Sequence, residues 1–386
     1  MKSALYGAHY FMRQHAAARA HKISRLISPP PPRQAGPDYR RVLFVATGLL
    51  GDTIMSTPVI TEARRLWPDA EITLLGRRRN CDLLSACPVI DHFKEAVSLP
   101  FSLRGRAAVK ALKEWVAEQS FDIALILLGD EFARMLAQAN VPVRVGVRGH
   151  ALEPCLTHAY DIGGPRTWGP GERLNALRCL GLDVPDAPPR LWVSDSARDS
   201  ARRILSGLGI GSRDRYVALH PFGSTREQWW PPERARRLAD EVRGEYRLKT
   251  LLIDGPETHD HALELSTSNL LVAPALPRIQ EVLALIEGAS LVISTDSGPF
   301  HMAGALGRPL VGLFRSRRPE HAGRYPQAHV AFGQEPTCAR NCGWDRCQSV
   351  PCLQLEDLSV EKVIHQIGRF NAALKDGLHD KGVAVR

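Results

Sequence analysis

From residue 41 onward, short runs of consecutive apolar residues alternate with stretches whose apolar positions recur every three or four residues. Arg41-Val42-Leu43-Phe44-Val45-Ala46 reads as a buried parallel strand, and Thr57 to Trp67 as a helix that begins near Pro58. Strands over Glu71 to Leu75, Phe121 to Leu128 and Val143 to Val147 follow, with a helix over Ala107 to Gln119. Residues Asp183 to Pro189, rich in proline and aspartate, read as a linker. The rhythm then restarts. Tyr216 to His220, Thr250 to Asp254, Leu270 to Val272, Leu291 to Ser294 and Leu310 to Phe314 are strand candidates. Helices expected over Pro232 to Tyr246, Thr258 to Thr267, Arg278 to Glu287 and Gly298 to Leu306 separate them. A last helix, Ser359 to Leu374, is expected to pack back across the domains. Strands alternating with helices imply an α/β protein of two doubly wound, Rossmann-like domains facing across a cleft, with ligands at the strand carboxyl ends. The boundaries read from this pattern are a tail over 1–40, a first domain over 41–185 and a second over 186–386.

Length and composition fit that picture: 386 residues suffice for two cores, and 44% hydrophobic with 24% charged residues is ordinary for a globular protein. No stretch approaches eighteen uninterrupted apolar residues, so a transmembrane helix is not expected and the chain reads as a cytosolic or peripheral enzyme. Charge changes the picture more. Of the net +9, residues 1–41 contribute +7, from eight basic residues against Asp38 alone. The body is close to neutral, which argues against nucleic acid as a partner. Residues Met1 to Ile27 carry no acid and lack the continuous apolar core of a secretory signal. They read either as a basic amphipathic helix lying on an anionic membrane or as a disordered or weakly docked extension, and their composition also resembles a transit peptide. Pro29 to Pro32 ends the tail as an extended spacer.

The chemistry gathers at strand ends. Ser294-Thr295-Asp296-Ser297-Gly298-Pro299-Phe300-His301 follows an apolar strand and opens a helix, an arrangement that offers backbone N–H groups to a pyrophosphate. Asp296 is expected to cap that helix, with His301 facing the same mouth; the alternative is a plain capped helix with His301 satisfied in the core. His220-Pro221-Phe222-Gly223-Ser224-Thr225, then Gln228-Trp229-Trp230-Pro231, is a second strand end whose hydroxyls suit phosphate oxygens. Trp229 and Trp230 also read as anchors of the helix against the sheet. Asp254-Gly255-Pro256-Glu257 brings a carboxylate to a third strand end, for ribose hydroxyls or simply for solvent. In the first domain, Thr47-Gly48-Leu49-Leu50-Gly51-Asp52 is not a dinucleotide fingerprint, because its glycines are three apart. It supplies one carboxylate on flexible backbone, aimed at the expected cleft. Glycosyl transfer needs a base for the acceptor hydroxyl and stabilisation of the departing diphosphate. An aspartate with an ordinary pKa of about 4 is ionised at neutral pH and suits late proton capture.

Taken together these segments resemble glycosyltransferase family 9, the heptosyltransferase-like enzymes of the GT-B fold, from about Arg41 to Leu374. Asp296-Ser297-Gly298 with His301, followed by Ala303-Gly304-Ala305-Leu306-Gly307-Arg308-Pro309, is similar to the family's donor motif. The resemblance implies Asp52 as catalytic base beside Gly51, Glu257 on ribose, and Gly223, Ser224 and Thr225 on phosphate. It implies an inverting transfer, needing no metal for catalysis, of a sugar such as heptose from a nucleotide-diphosphate sugar, ADP-heptose foremost. The acceptor would be a lipopolysaccharide-like or other glycan, lipid-linked, in the envelope of a Gram-negative bacterium. Such an enzyme would work in the cytoplasm or on the cytoplasmic face of the inner membrane. One departure is Gln228, where family members often carry a lysine; Arg226 is the nearby cation that would replace it. Arg77, Arg78 and Arg79 read either as contacts for acidic groups of the acceptor or as a solvated basic loop.

Cys81, Cys87, Cys155 and Cys179 are scattered and read as packing residues. Cys338, Cys342, Cys347 and Cys352 are clustered, as in several family members. Four thiolates could hold a structural zinc or iron; reduced cysteines or a local disulfide are the alternatives. A sugar-nucleotide epimerase or hydrolase on the same fold, or a non-catalytic nucleotide-sugar-binding scaffold, competes with the transferase reading. Retention of Asp52, Asp296 and His301 together argues against the scaffold.

Overall fold

The computed structural model describes residues 38–96, 103–162, 169–223, 226–314, 325–332 and 353–375. The chain forms two compact units that divide between Trp192 and Val193, just beyond the stretch rich in proline and aspartate. In the first unit, β1 (Arg41–Ala46), β2 (Glu71–Gly76), β3 (His92–Glu95), β4 (Ile123–Leu128), β5 (Val143–Val147) and β6 (His158–Tyr160) make one parallel sheet in the order β3-β2-β1-β4-β5-β6. The central strands are covered on both faces, so they read as unbroken apolar runs: β1 is buried at every position after Arg41. Around the sheet lie α1 (Leu50–Met55), α2 (Thr57–Leu66), α3 (Arg78–Leu84), α4 (Leu103–Gln119), α5 (Ala133–Gln138) and α6 (Gly169–Arg178).

The second unit repeats the plan. Its strands are β7 (Tyr216–His220), β8 (Lys249–Leu252), β9 (Leu270–Val272), β10 (Leu291–Thr295), β11 (Leu310–Phe314) and β12 (Ala328–Phe332), parallel in the order β12-β11-β10-β7-β8-β9. Its helices are α7 (Asp195–Gly207), α8 (Arg234–Tyr246), α9 (His259–Glu264), α10 (Ile279–Gly288), α11 (Gly298–Ala305), α12 (Leu353–Glu356), α13 (Val360–Ile367) and α14 (Asn371–Lys375). Counted within its own unit, each sheet runs third, second, first, fourth, fifth, sixth strand. In each, the chain leaves the middle of the sheet in opposite directions between the first and fourth strands. That switch point is where two loops diverge and leave a crevice.

Two expected elements are redrawn. The segment after β1 is not a loose turn, since α1 begins at Leu50, seven residues before the expected helix. The closing helix is broken at Gly368, a poor helix former, by a 3₁₀ turn over Gly368–Phe370. Val363, Ile367 and Leu374 from this closing segment enter the core of the second unit, with Val217, Leu238 and Leu291. Cys87 and Cys155 are buried, Cys81 and Cys179 half-buried, and all four are free thiols. Among the described residues no helix is long and apolar enough to cross a membrane.

Candidate functional site

The first switch point lies after β1 and β4. Thr47 N–H donates to the carbonyl of Leu128 at 3.1 Å, tying the two strand ends together. The fully buried Asn80 amide donates to the carbonyl of Gly48 at 3.2 Å and to Thr53 Oγ at 2.7 Å. Gly48 packs so closely on Leu128 that a Cβ would come within 3.1 Å of it. Asp52 is therefore held on the first turn of α1, and the expectation of a carboxylate on flexible backbone is corrected by these contacts.

The expected ordinary pKa is corrected as well. Arg173, on α6, reaches Asp52 Oδ1 with Nη2 at 3.3 Å and donates Nη1 to the Leu127 carbonyl at 3.1 Å. Burial raises the Asp52 pKa above the ordinary aspartate range, and the guanidinium opposes that rise only in part. The carboxylate is thus a stronger base than an exposed aspartate. The buried phenol of Tyr160, at the end of β6, lies in the field of the same guanidinium, and burial pushes its pKa up to about 12. Arg173 escaped sequence reasoning because 121 residues separate it from Asp52 and no local motif marks it. Arg77, Arg78 and Arg79 are exposed, and they form the N-cap and first turn of α3 rather than a loop.

The second switch point lies after β7 and β10. His220 closes β7 with Nδ1 against the Ile253 carbonyl at 2.8 Å, and burial lowers its pKa to about 4, so it is neutral. The Thr295 hydroxyl donates to the Phe222 carbonyl, and Trp229 Nε1 donates to the Gly223 carbonyl at 3.1 Å. Gly223 is a packing requirement: a Cβ there would lie 2.4 Å from Cβ of Gln228. Gln228 itself is buried, while Arg226 is exposed with its guanidinium 5.3 Å over the Trp229 ring. Trp230 is fully buried and donates to the Leu358 carbonyl at 2.7 Å, the anchoring role expected of one of the pair.

After β10, Ser297 rather than Asp296 occupies the N-cap of α11, in extended conformation, and makes no capping bond. Its hydroxyl instead donates to the Thr295 carbonyl and pairs with Ser294 Oγ, each at 3.1 Å. Asp296 is half-buried one residue outside the helix. In the first turn, Gly298-Pro299-Phe300-His301, Pro299 carries no N–H and that of His301 donates to the Ser297 carbonyl at 3.4 Å, which leaves the N–H groups of Gly298 and Phe300 suited to an anion. His301 is buried and hydrogen-bonded through Nδ1 to the Tyr325 hydroxyl at 3.2 Å; burial lowers its pKa to about 4. A neutral imidazole packed against Phe300 and Tyr325 matches the alternative of a histidine satisfied in the interior. Glu257 is exposed beyond β8. The nearby carboxylate of Asp254 is almost fully buried and paired with His259 Nδ1 at 2.8 Å, a pairing the sequence did not single out.

Ser224, Thr225, the basic tail and the cluster Cys338, Cys342, Cys347 and Cys352 lie outside the described residues. Among the described residues no group of three or more His, Cys, Asp or Glu side chains is placed to hold a metal.

A family model described as glycosyltransferase family 9 (heptosyltransferase) matches residues 109–346. Lipopolysaccharide heptosyltransferase 3 of Escherichia coli K12 is 26% identical over 291 residues, covering 68% of this chain and 79% of the relative. Among solved structures, a family 9 glycosyl transferase from Veillonella parvula superposes with a TM-score of 0.74 at 20% identity, over 87% of this chain and 99% of that one. The E. coli ADP-heptose lipopolysaccharide heptosyltransferase II does so with a TM-score of 0.71 at 19% identity, over 86% and 98%.

Proposed function

The chain belongs to glycosyltransferase family 9, a transferase of GT-B type, and from that premise we propose that it moves heptose from ADP-heptose to a sugar of the lipopolysaccharide core with Asp52 as base. In the reaction the acceptor hydroxyl attacks the anomeric carbon from the face opposite the leaving group. The carbon–oxygen bond to the diphosphate breaks, ADP carries away the electron pair, and the hydroxyl proton passes to Asp52. The configuration at that carbon inverts. The observation that carries this reading is the partly buried, Arg-paired carboxylate at the switch point of the first sheet. A base with a raised pKa takes a proton more readily than an exposed one.

In the second unit, the start of α11 (Ser297, Gly298) would face the diphosphate, with Gly223, Ser224 and Thr225 contributing from the other strand end. Asp296 and His301 would shape that turn, and Glu257 would accept the ribose hydroxyls. With Gln228 uncharged and buried, Arg226 is the cation nearest that segment for the leaving group. Arg77, Arg78 and Arg79 stand at the positive end of α3, where a helix disfavours cations. An anionic acceptor would offset that repulsion.

The basic tail would hold the enzyme against the anionic cytoplasmic face of the inner membrane, near its lipid-linked acceptor. The four clustered cysteines would bind a structural zinc or iron, with all ligand positions filled and no part in catalysis. Metal analysis of the purified protein, against a variant with all four changed to serine, tests that assignment.

Asp52→Asn is the direct test of the base. Turnover of ADP-heptose with heptose-deficient lipopolysaccharide should all but vanish in a variant that melts normally, and near-normal turnover would remove Asp52 from the mechanism. A thermal-shift panel of ADP-, GDP-, UDP- and dTDP-sugars tests the donor, with the largest shift expected for the ADP-sugar.

A further inference from the structure

A base for glycosyl transfer must present one carboxylate oxygen to the incoming hydroxyl and keep its proton affinity within working range. Asp52 is partly desolvated, which raises its affinity for protons, and α1 offers no cation to restrain it. The elements packed against α1 are α2, α3, α6 and β4. They carry Glu62, Arg64 and Arg65 on α2, Arg78, Arg79 and Asp82 on α3, and Glu172, Arg173 and Arg178 on α6, while β4 carries no charge. Of these, Arg173 is the group whose field and hydrogen bond act on Asp52.

The fork of Arg173 is divided. One nitrogen is fixed to the Leu127 carbonyl near the end of β4, and the other meets Asp52 Oδ1. A guanidinium anchored in this way is a rigid arm, because its planar donors cannot turn independently. Only about an eighth of the Arg173 side chain is exposed, against about a third of Asp52. The arginine therefore approaches from the protein side and leaves the carboxylate its solvent side.

We propose that Arg173 is the positioning residue of this enzyme's base: it clamps Oδ1 of Asp52 against the end of β4, so that Oδ2 is the oxygen that receives the acceptor's proton. The proposal rests on the reading of Asp52 as base. The proton leaves the acceptor hydroxyl as its oxygen bonds the anomeric carbon, and it ends on Oδ2. Arg173 keeps its charge throughout and transfers nothing.

The sign of its effect follows from the opposing influences on Asp52. Burial raises the carboxyl pKa and Arg173 lowers it, so removing the guanidinium leaves burial unopposed. In Arg173→Met the acid limb of the kcat/KM profile should move to higher pH, with activity below the limb falling about tenfold for each unit of movement. Arg173→Lys keeps a cation without the fork. Its limb should stay near that of the parent, while kcat falls at every pH because Oδ1 is no longer clamped.

The experiment measures these profiles on the full-length enzyme with ADP-heptose and heptose-deficient lipopolysaccharide. In parallel, the Asp52 carboxyl is titrated by ¹³C NMR on aspartate-labelled protein, its resonance assigned by its loss in Asp52→Asn. A limb and an NMR titration that both move upward in Arg173→Met, and return in Arg173→Lys, support the proposal. An unmoved limb and titration in a well-folded Arg173→Met, with activity lost equally at all pH values, would mean a merely structural arginine and overturn it. If Arg173→Met does not fold, Arg173→Lys decides alone: unchanged kcat at every pH overturns the clamp. Substantial turnover by Asp52→Asn would instead sink the base itself, and the NMR titration would still report whether Arg173 acts on Asp52.

Discussion

The two units carry the same strand order and treat its switch point in opposite ways. After β1 the first unit builds a short helix whose first turn bears a carboxylate, and a distant arginine pairs with it. After β7 and β10 the second unit places the small residues Gly223, Ser297 and Gly298, where the diphosphate is proposed to lie. Its two histidines there, half-buried His220 and buried His301, are uncharged. One topology thus carries a titratable carboxylate in one copy and the proposed, non-titrating anion cradle in the other. The fold provides the crevice, and residue choice at the strand ends decides its chemistry.

That contrast can be broken, and the largest test is kinetic. Asp52→Asn should lower kcat by about 10²- to 10⁴-fold while leaving the dissociation constant for ADP within about twofold. A comparable loss of ADP affinity, measured by calorimetry, would mean that the two units do not divide the labour. Trp230→Ala comes next. It empties a fully buried site and removes one of the two hydrogen bonds to the Leu358 carbonyl, leaving that from Arg234 Nη1 at 3.0 Å, so it should cost about 3–5 kcal/mol in denaturant unfolding of the second unit. Gly223→Ala should be milder in stability, about 1–3 kcal/mol, because its Cβ must displace Gln228. It should also weaken ADP binding without moving the acid limb of the pH profile; a moved limb would tie the cradle to the titrating centre. The smallest expected effect is none. His220 and His301, each with a pKa of about 4, protonate only well below neutrality. Affinity for an ADP-sugar, whose diphosphate is esterified at both ends, should therefore stay flat from about pH 5.5 to 8. A rise in affinity on acidification through pH 6.5 would show that one of the imidazoles is exposed and chargeable.

Much of this architecture is legible in the sequence, and the reason is burial on both sheet faces. β1, β7 and β11 match their apolar runs to the residue, since a strand covered twice has no polar alternation to blur it. Edge strands are a different matter. β3 is His-Phe-Lys-Glu and mostly exposed, and β6 has three residues, so neither carries a hydrophobic signal. α7 hides for a related reason: its buried positions include alanines, Ala197 and Ala201, in a helix otherwise full of charge. At the sites, Asp52 and the Ser297-Gly298 turn stand at strand ends and are readable there. Arg173 and the Asp254–His259 pair are not, because such contacts depend on side-chain packing that strand periodicity does not encode. The capping expectation failed by one residue, Ser297 for Asp296, which is within the usual blur of helix starts.

The distance in sequence between Asp52 and Arg173 also bears on how the protein is made. A ribosome releases Asp52 121 residues before its partner, with five strands of the sheet in between. Parallel sheets have no hairpins to settle early, and each pairing waits for a long crossover to emerge. The carboxylate therefore keeps the proton affinity of an ordinary loop aspartate through most of the synthesis of the first unit. It acquires its tuned environment as α6, the last helix of that unit, docks on the nearly complete sheet. The ionisation of a single side chain thereby becomes a late marker of co-translational maturation.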